Sequence, residues 1–139
     1  MDRHQVDDTG VHVHDIGGES DDWRDLAPGI QIRVLRTTQA TGVWAVLYKV
    51  AAGTTAAPHQ HFGSSDSYVI KGKMIGTAGR TLQAGDYVYE PNSDRVHKAT
   101  YFEEDTLYLY IHQGPFMHLD EAGKMIGVTD WNAMRKLQK

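Results

Sequence analysis

Turn-forming residues interrupt this chain so often that only its last few residues leave room for a helix. Pro28-Gly29, Thr41-Gly42, Gly72-Lys73, Ala84-Gly85-Asp86, Asn92-Ser93-Asp94 and Glu103-Glu104-Asp105 each mark a reversal. Short extended runs lie between them. Ile30 to Arg36 alternates apolar and polar residues, as a half-buried strand does. Val43 to Val50 is apolar on both faces, which suits a strand buried between two layers. Ser67–Lys71, Met74–Gly76 and Tyr87–Glu90 follow, the last stopped by Pro91, and extended structure resumes over Val96–Thr100. Thr106 to His112 places Leu107, Leu109 and Ile111 on one face and Tyr108, Tyr110 and His112 on the other. Strands spaced about eight to twelve residues apart predict an all-β sandwich or barrel.

The tail changes character. Phe116–Leu119 and Lys124–Val128 flank Asp120-Glu121-Ala122-Gly123, a hairpin signal. Thr129 or Asp130 can cap a short helix from Trp131 to Leu137, with Arg135 and Lys136 well placed at its negative end. At 139 residues, 40% apolar, the chain is expected to form one domain over residues 21–139. Trp23 is expected to cover one end of its core. Residues 1–20 are polar and read as an arm, with Val11-His12-Val13 the one hint of extended structure.

Composition narrows the chemistry. A net charge of −4 supplies no basic field for nucleic acid. No apolar run approaches the roughly 18 residues of a spanning helix, so no membrane partner is expected. The first residues hold no apolar leader core, and the expected location is cytoplasmic. With no cysteine, any metal must rest on histidine and carboxylate, and there are eight histidines. Two of them form His59-Gln60-His61, between Pro58 and a small polar turn. In an extended segment residues i and i+2 share a face, so two imidazoles there can hold one ion. His12 and His14 repeat the spacing without the flanking glycine and proline, and read as solvated or structural.

Gly53, His59, His61 and Gly72 resemble the first motif of the cupin superfamily. Gly85-Asp86, Pro91 and His97 resemble the second, with Ser93 in place of a glycine and His97 one residue late. The runs Thr41–Leu47 and Ala84–Pro91, and the hairpin-helix tail, are similar to cupins around the acetylacetone-cleaving and dihydroxyacetophenone dioxygenases. They are also similar to the cupin half of a zinc-dependent anti-sigma factor. The likeness spans about residues 22 to 131.

That resemblance implies a cupin jelly roll, a double-stranded β-helix, with a metal held by His59, His61 and His97. The family's glutamate position is Ser65 here, with Asp66 next to it. Strand parity puts Ser65 on the inner face with Ser67 and Val69, unless a bulge brings Asp66 in. The implied ion is Fe(II), with zinc, nickel or manganese as other fits to a histidine set. Glu90, Ser65, Tyr89 and Tyr110 are the candidates for contacts around the metal or substrate. The implied reaction is dioxygen-dependent cleavage of a C–C bond in a small β-diketone or hydroxyaryl ketone. Its alternatives are a non-catalytic metal sensor and a metal-assisted isomerase. A homodimer is expected, because the sandwich leaves sheet edges that need covering.

Overall fold

The computed structural model describes residues 10–76, 79–91, 96–97 and 99–138, with the backbone alone at 61, 96 and 97. A six-stranded antiparallel sheet forms the larger wall. Its spatial order is β1 (Trp23–Ala27), β2 (Ile30–Thr38), β3 (Val43–Val50), β12 (Thr106–Gln113), β6 (Ser65–Lys71) and β9 (Tyr87–Glu90). A four-stranded sheet runs β10 (Val96–His97), β5 (His59–His61), β13 (Phe116–Leu119) and β14 (Met125–Thr129). Another runs β4 (Thr55–Ala56), β11 (Thr100–Phe102), β7 (Lys73–Ile75) and β8 (Thr81–Gln83). The mainly β architecture expected from the turn spacing is therefore present.

One core joins the three sheets. The large sheet contributes Ile32, Val34, Trp44, Val46, Tyr48, Val50, Val69 and Tyr110, and the smaller sheets add Met74, Phe102 and Phe116. The inner residues of β3 and β12 are cross-strand partners: Trp44 faces His112, Val46 faces Tyr110, and Tyr48 faces Tyr108. The tyrosine-histidine face of β12 thus points inward, where aromatic rings bury the most area. Helix α1 (Trp131–Leu137) is capped by Asp130, whose carboxylate accepts from the Ala133 N–H at 2.9 Å. It contributes Met134 to the core. The Asp120 side chain closes the β13–β14 hairpin, accepting from the N–H groups of Ala122 and Lys124 at 2.9 and 2.8 Å.

Three expectations need correcting. Trp23 lies on the outer face of the large sheet rather than over the core, with the Lys49 ammonium 4.1 Å from its ring centre. The stretch from Val96 to Thr100 is not one strand. It is divided between β10, paired with β5, and β11, paired with β4 and β7. Val11 to Val13 forms no strand, and His12 and His14 are exposed.

The outer face of the large sheet is partly covered by the chain's own early residues. Arg33, 7% exposed, donates to the carbonyls of Asp15 and Ile16 at 3.0 Å and pairs with the Asp22 carboxylate at 2.9 Å. The Trp23 indole N–H donates to the Gly18 carbonyl at 2.9 Å. A buried guanidinium needs its donors satisfied, and this segment supplies the acceptors. Burial raises the Asp22 pKa, but hydrogen bonding from Ser20 and Arg33 and the guanidinium charge outweigh it, so the net shift is downward.

At Gly63 and Gly72 the chain passes too close to a neighbour for any side chain. A Cβ at Gly63 would stand 1.4 Å from the Gln113 carbonyl oxygen. One at Gly72, where φ is +93°, would stand 2.3 Å from the Asp105 oxygen. Gly53 also has positive φ, +84°, but nothing lies within 4 Å of its Cβ position. Gly53→Ala should therefore cost about 1–2 kcal/mol of backbone strain, and Gly63→Ala clearly more, as read from urea midpoints. Equal midpoints for the two variants would contradict the close approach at Gly63. The lowered Asp22 pKa predicts stability that is present above its ordinary value of 3.8 and lost as pH falls through the lower folded value. Thermal unfolding from pH 5 down to pH 2 should show a smaller acid-dependent loss in Asp22→Asn than in the parent.

Candidate metal centre

Strand β5 takes its place from its two neighbours. Position 97 on β10 stands directly opposite 59, and position 118 on β13 stands opposite 59 from the other side. Positions 97, 59 and 118 thus form one cross-strand row of histidines. Position 61 shares the 59 face of β5 and is paired with Phe116. The His61 and His97 side chains lie outside the described residues.

This face opens on a half-open cavity of about 560 Å3. His59 lines it together with Glu90, Tyr108, Tyr110, Phe116 and His118. The His59 ring lies 4.9 Å from that of Phe116, centre to centre. Across the cavity a polar row crosses the large sheet, with Ser65 paired to His112 on one side and to Glu90 on the other. Ser65 is 1% exposed, with its hydroxyl beside the Tyr110 phenol. His112 is fully buried, and its Nδ1 donates to the Gly114 carbonyl at 2.5 Å. That bond leaves Nε2 as the acceptor nitrogen of the neutral ring.

Burial sets the protonation of these groups. It pushes the His112 pKa down, partly opposed by the Gly114 hydrogen bond and the Glu90 charge. It also pushes His118 down. Burial raises Tyr108 and Tyr110 well above the ordinary phenol value, so both remain protonated. The cavity wall thus includes two protonated phenols and, at His118, an imidazole shifted toward its neutral form. Glu90 is the one carboxylate among the described lining residues.

The other candidates divide by strand parity. Ser65 and Tyr110 are inside. Asp66 is on the outer face, where its carboxylate accepts from the Tyr87 hydroxyl. Tyr87 is 62% exposed. Tyr89 borders the cavity but is 55% exposed, because its position pairs with Asp66 and not with Ser65. Its expected place among the inner contacts needs that correction. In the sequence, His118 stands out only as part of the hairpin. Its signal was the alternation Phe116, His118 on one face of β13, which gains meaning only once β13 is known to lie beside β5.

Histidines at positions 59, 61 and 97 are of the residue type that holds a divalent ion. Directly paired positions carry Cβ atoms about 4.5–5.5 Å apart, and the 59/97 pair is of that kind. Position 61 lies on the same face, and imidazole nitrogen bonds divalent metals at about 2.0–2.1 Å. Among the described residues, which leave out the His61 and His97 side chains, no group of three His, Asp or Glu gathers that could hold an ion. Nor is any described helix long and apolar enough to cross a membrane.

Known proteins share this fold. An acetylacetone-cleaving enzyme of Acinetobacter johnsonii is 28% identical over 108 residues, covering 74% of this chain and 70% of that protein. The crystal structure of an acetylacetone dioxygenase from the same organism aligns with a TM-score of 0.79 at 22% identity, covering 99% of this chain and 97% of the other. The Rhodobacter sphaeroides SigE complex with the anti-sigma ChrR aligns with a TM-score of 0.57 at 22% identity, covering 66% of this chain and 48% of the other. The ChrR cupin-like domain matches residues 10–117. By that match over most of its length, and by the β-sandwich that it folds into, this chain is a member of the ChrR cupin-like domain family.

Proposed function

We propose that this protein is a metal-dependent dioxygenase that cleaves a C–C bond of a small β-diketone or hydroxyaryl ketone, with Fe(II) held by His59, His61 and His97. The observation that carries this reading is the pairing of positions 59 and 97 on a face that lines the half-open cavity. The likeness to an acetylacetone-cleaving enzyme supports the substrate class. When bound, the ion supplies Lewis acidity toward two adjacent oxygens and the one-electron chemistry that dioxygen requires.

The protein's own residues suit such a substrate. Ser65, where cupins commonly place a carboxylate, leaves a donor set of neutral imidazoles and so an undiminished double positive charge. That charge favours an anionic, bidentate ligand, and an enolised diketone is one. Glu90 is positioned on the cavity wall to take the proton released on enolisation. Phe116, Tyr48 and Tyr108 supply aromatic walls that exclude water from the bound carbanionic form. The atoms balance with one dioxygen per turnover. Both oxygen atoms enter the products. In a β-diketone the bond between one carbonyl carbon and the central carbon is cut, giving a carboxylic acid and a 1,2-dicarbonyl. In a 2-hydroxyaryl ketone the bond between the carbonyl and the hydroxyl-bearing carbon is cut, giving two carboxylic acids.

Iron-reconstituted protein should consume dioxygen with acetylacetone or with 2,4'-dihydroxyacetophenone, and His59→Ala and His97→Ala should each lose both metal and uptake. Stoichiometric metal without uptake on either substrate would favour a sensor, the reading to which the anti-sigma likeness points. Asp66→Ala should keep its metal content, measured by elemental analysis, because Asp66 faces outward and is held by Tyr87. Loss of metal in that variant would place the carboxylate at the ion.

A further inference from the structure

His118 has no part in the three-histidine ligand set, yet it is built into the same wall. Its position is the direct cross-strand partner of 59, and its ring packs edge-on against Phe116 at 5.0 Å. Nε2 lies 2.6 Å from the Thr129 hydroxyl oxygen. Thr129 ends β14, pairs with Phe116, and lines the same cavity. A hydrogen bond this short holds the imidazole in one orientation. The ring's other nitrogen, Nδ1, has no hydrogen-bond partner among the described residues. The surrounding wall is largely apolar or aromatic, with Phe116, Met74, Leu82 and Met134. Nδ1 is not a buried unpartnered atom, and because His118 lines the cavity a ligand group there can meet it.

We propose that His118, oriented by Thr129, is the specificity-determining residue of the cavity, hydrogen-bonding a hydroxyl group that the substrate carries apart from its two chelating oxygens. This rests on the function proposed above and narrows it, from dialkyl diketones to hydroxyaryl ketones. Two observations select a hydroxyl. Thr129 can either donate to Nε2 or accept from it, so Nδ1 is a donor in one tautomer and an acceptor in the other. A hydroxyl group satisfies both cases, whereas a carboxylate satisfies one. The aromatic walls of Phe116, Tyr48, Tyr108 and Tyr110 also match an aryl ring. A dialkyl diketone would leave much of the 560 Å3 unfilled and Nδ1 unmet.

The test is equilibrium binding to zinc-loaded protein, which binds without turnover. The probes are 1-phenylbutane-1,3-dione and its 4-hydroxyphenyl counterpart, which chelate alike and differ in one hydroxyl. Calorimetry on the parent protein should show the hydroxylated ligand bound about tenfold more tightly, the expectation for one added hydrogen bond. In His118→Phe that ratio should fall to about one, with zinc content and affinity for the unhydroxylated ligand unchanged. Thr129→Val should lower the ratio part of the way, and His118→Gln should retain part of it. A ratio unaltered in these variants, an equal loss for both ligands, or a fall in zinc content would overturn the proposal. Should neither ligand bind the zinc-loaded parent, the substrate class beneath it falls as well, whatever the variants do.

Discussion

The Gly114 carbonyl holds this molecule together at its corner. There the chain leaves the large sheet at the end of β12 and enters the histidine-bearing sheet as β13. The carbonyl accepts from the Trp44 indole N–H at 3.0 Å and from His112 Nδ1 at 2.5 Å. The two donor rings stack on each other with centres 5.1 Å apart, and both lie against Phe116. Buried donors need acceptors, and here one carbonyl satisfies two large rings that no water reaches. The loop that follows β5 closes onto the same corner. Phe62 N–H donates to the Pro115 carbonyl at 2.9 Å, Gln113 N–H to the Ser64 carbonyl at 2.8 Å, and Gly63 passes with no room for a Cβ. Strand β5 is thereby locked beside β13, which brings His118 next to His59.

The same corner fixes the opposite wall. With His112 turned inward over Trp44, the register of β12 with β6 places Ser65 next to it, and the register of β6 with β9 brings in Glu90. A one-residue slip of β6 would exchange Ser65 for Asp66 and introduce a carboxylate at the cavity. The register observed keeps Asp66 outside, hydrogen-bonded by Tyr87. That Asp66 stays out of the cavity is thus a consequence of strand pairing and not of composition.

Much of the fold was legible in local pattern. The apolar run Val43–Val50 became a central strand, with Trp44, Val46, Leu47 and Val50 buried, because a strand with apolar residues on both faces has nowhere else to go. The alternation in Thr106–His112 separated the tyrosine face from the leucine face, though not which of them turns inward, and Asp120 and Asp130 performed the turn and cap chemistry their positions suggested. Strand β1 and the position of Trp23 were not legible. That region's burial depends on Arg33, a residue that reads as surface polar until the carbonyls of Asp15 and Ile16 are found above it. The division of Val96–Thr100 between two sheets was hidden for a related reason. A short extended run has no periodicity long enough to reveal a change of partner.

By itself, the sequence determined an all-β chain without cysteine chemistry, with two histidines on one strand face and Ser65 on the inner face of the strand that follows. These are local properties, set by turn residues, by the two-residue period of a strand and by side-chain chemistry. Only the tertiary structure decided which strands lie side by side. It set position 97 against 59, brought His118 into the same row from the other side, turned Tyr89 out and left Glu90 on the cavity wall. Those pairings join residues far apart in the chain, and their register follows from burying Trp44, His112 and Phe116 together, which no single segment encodes.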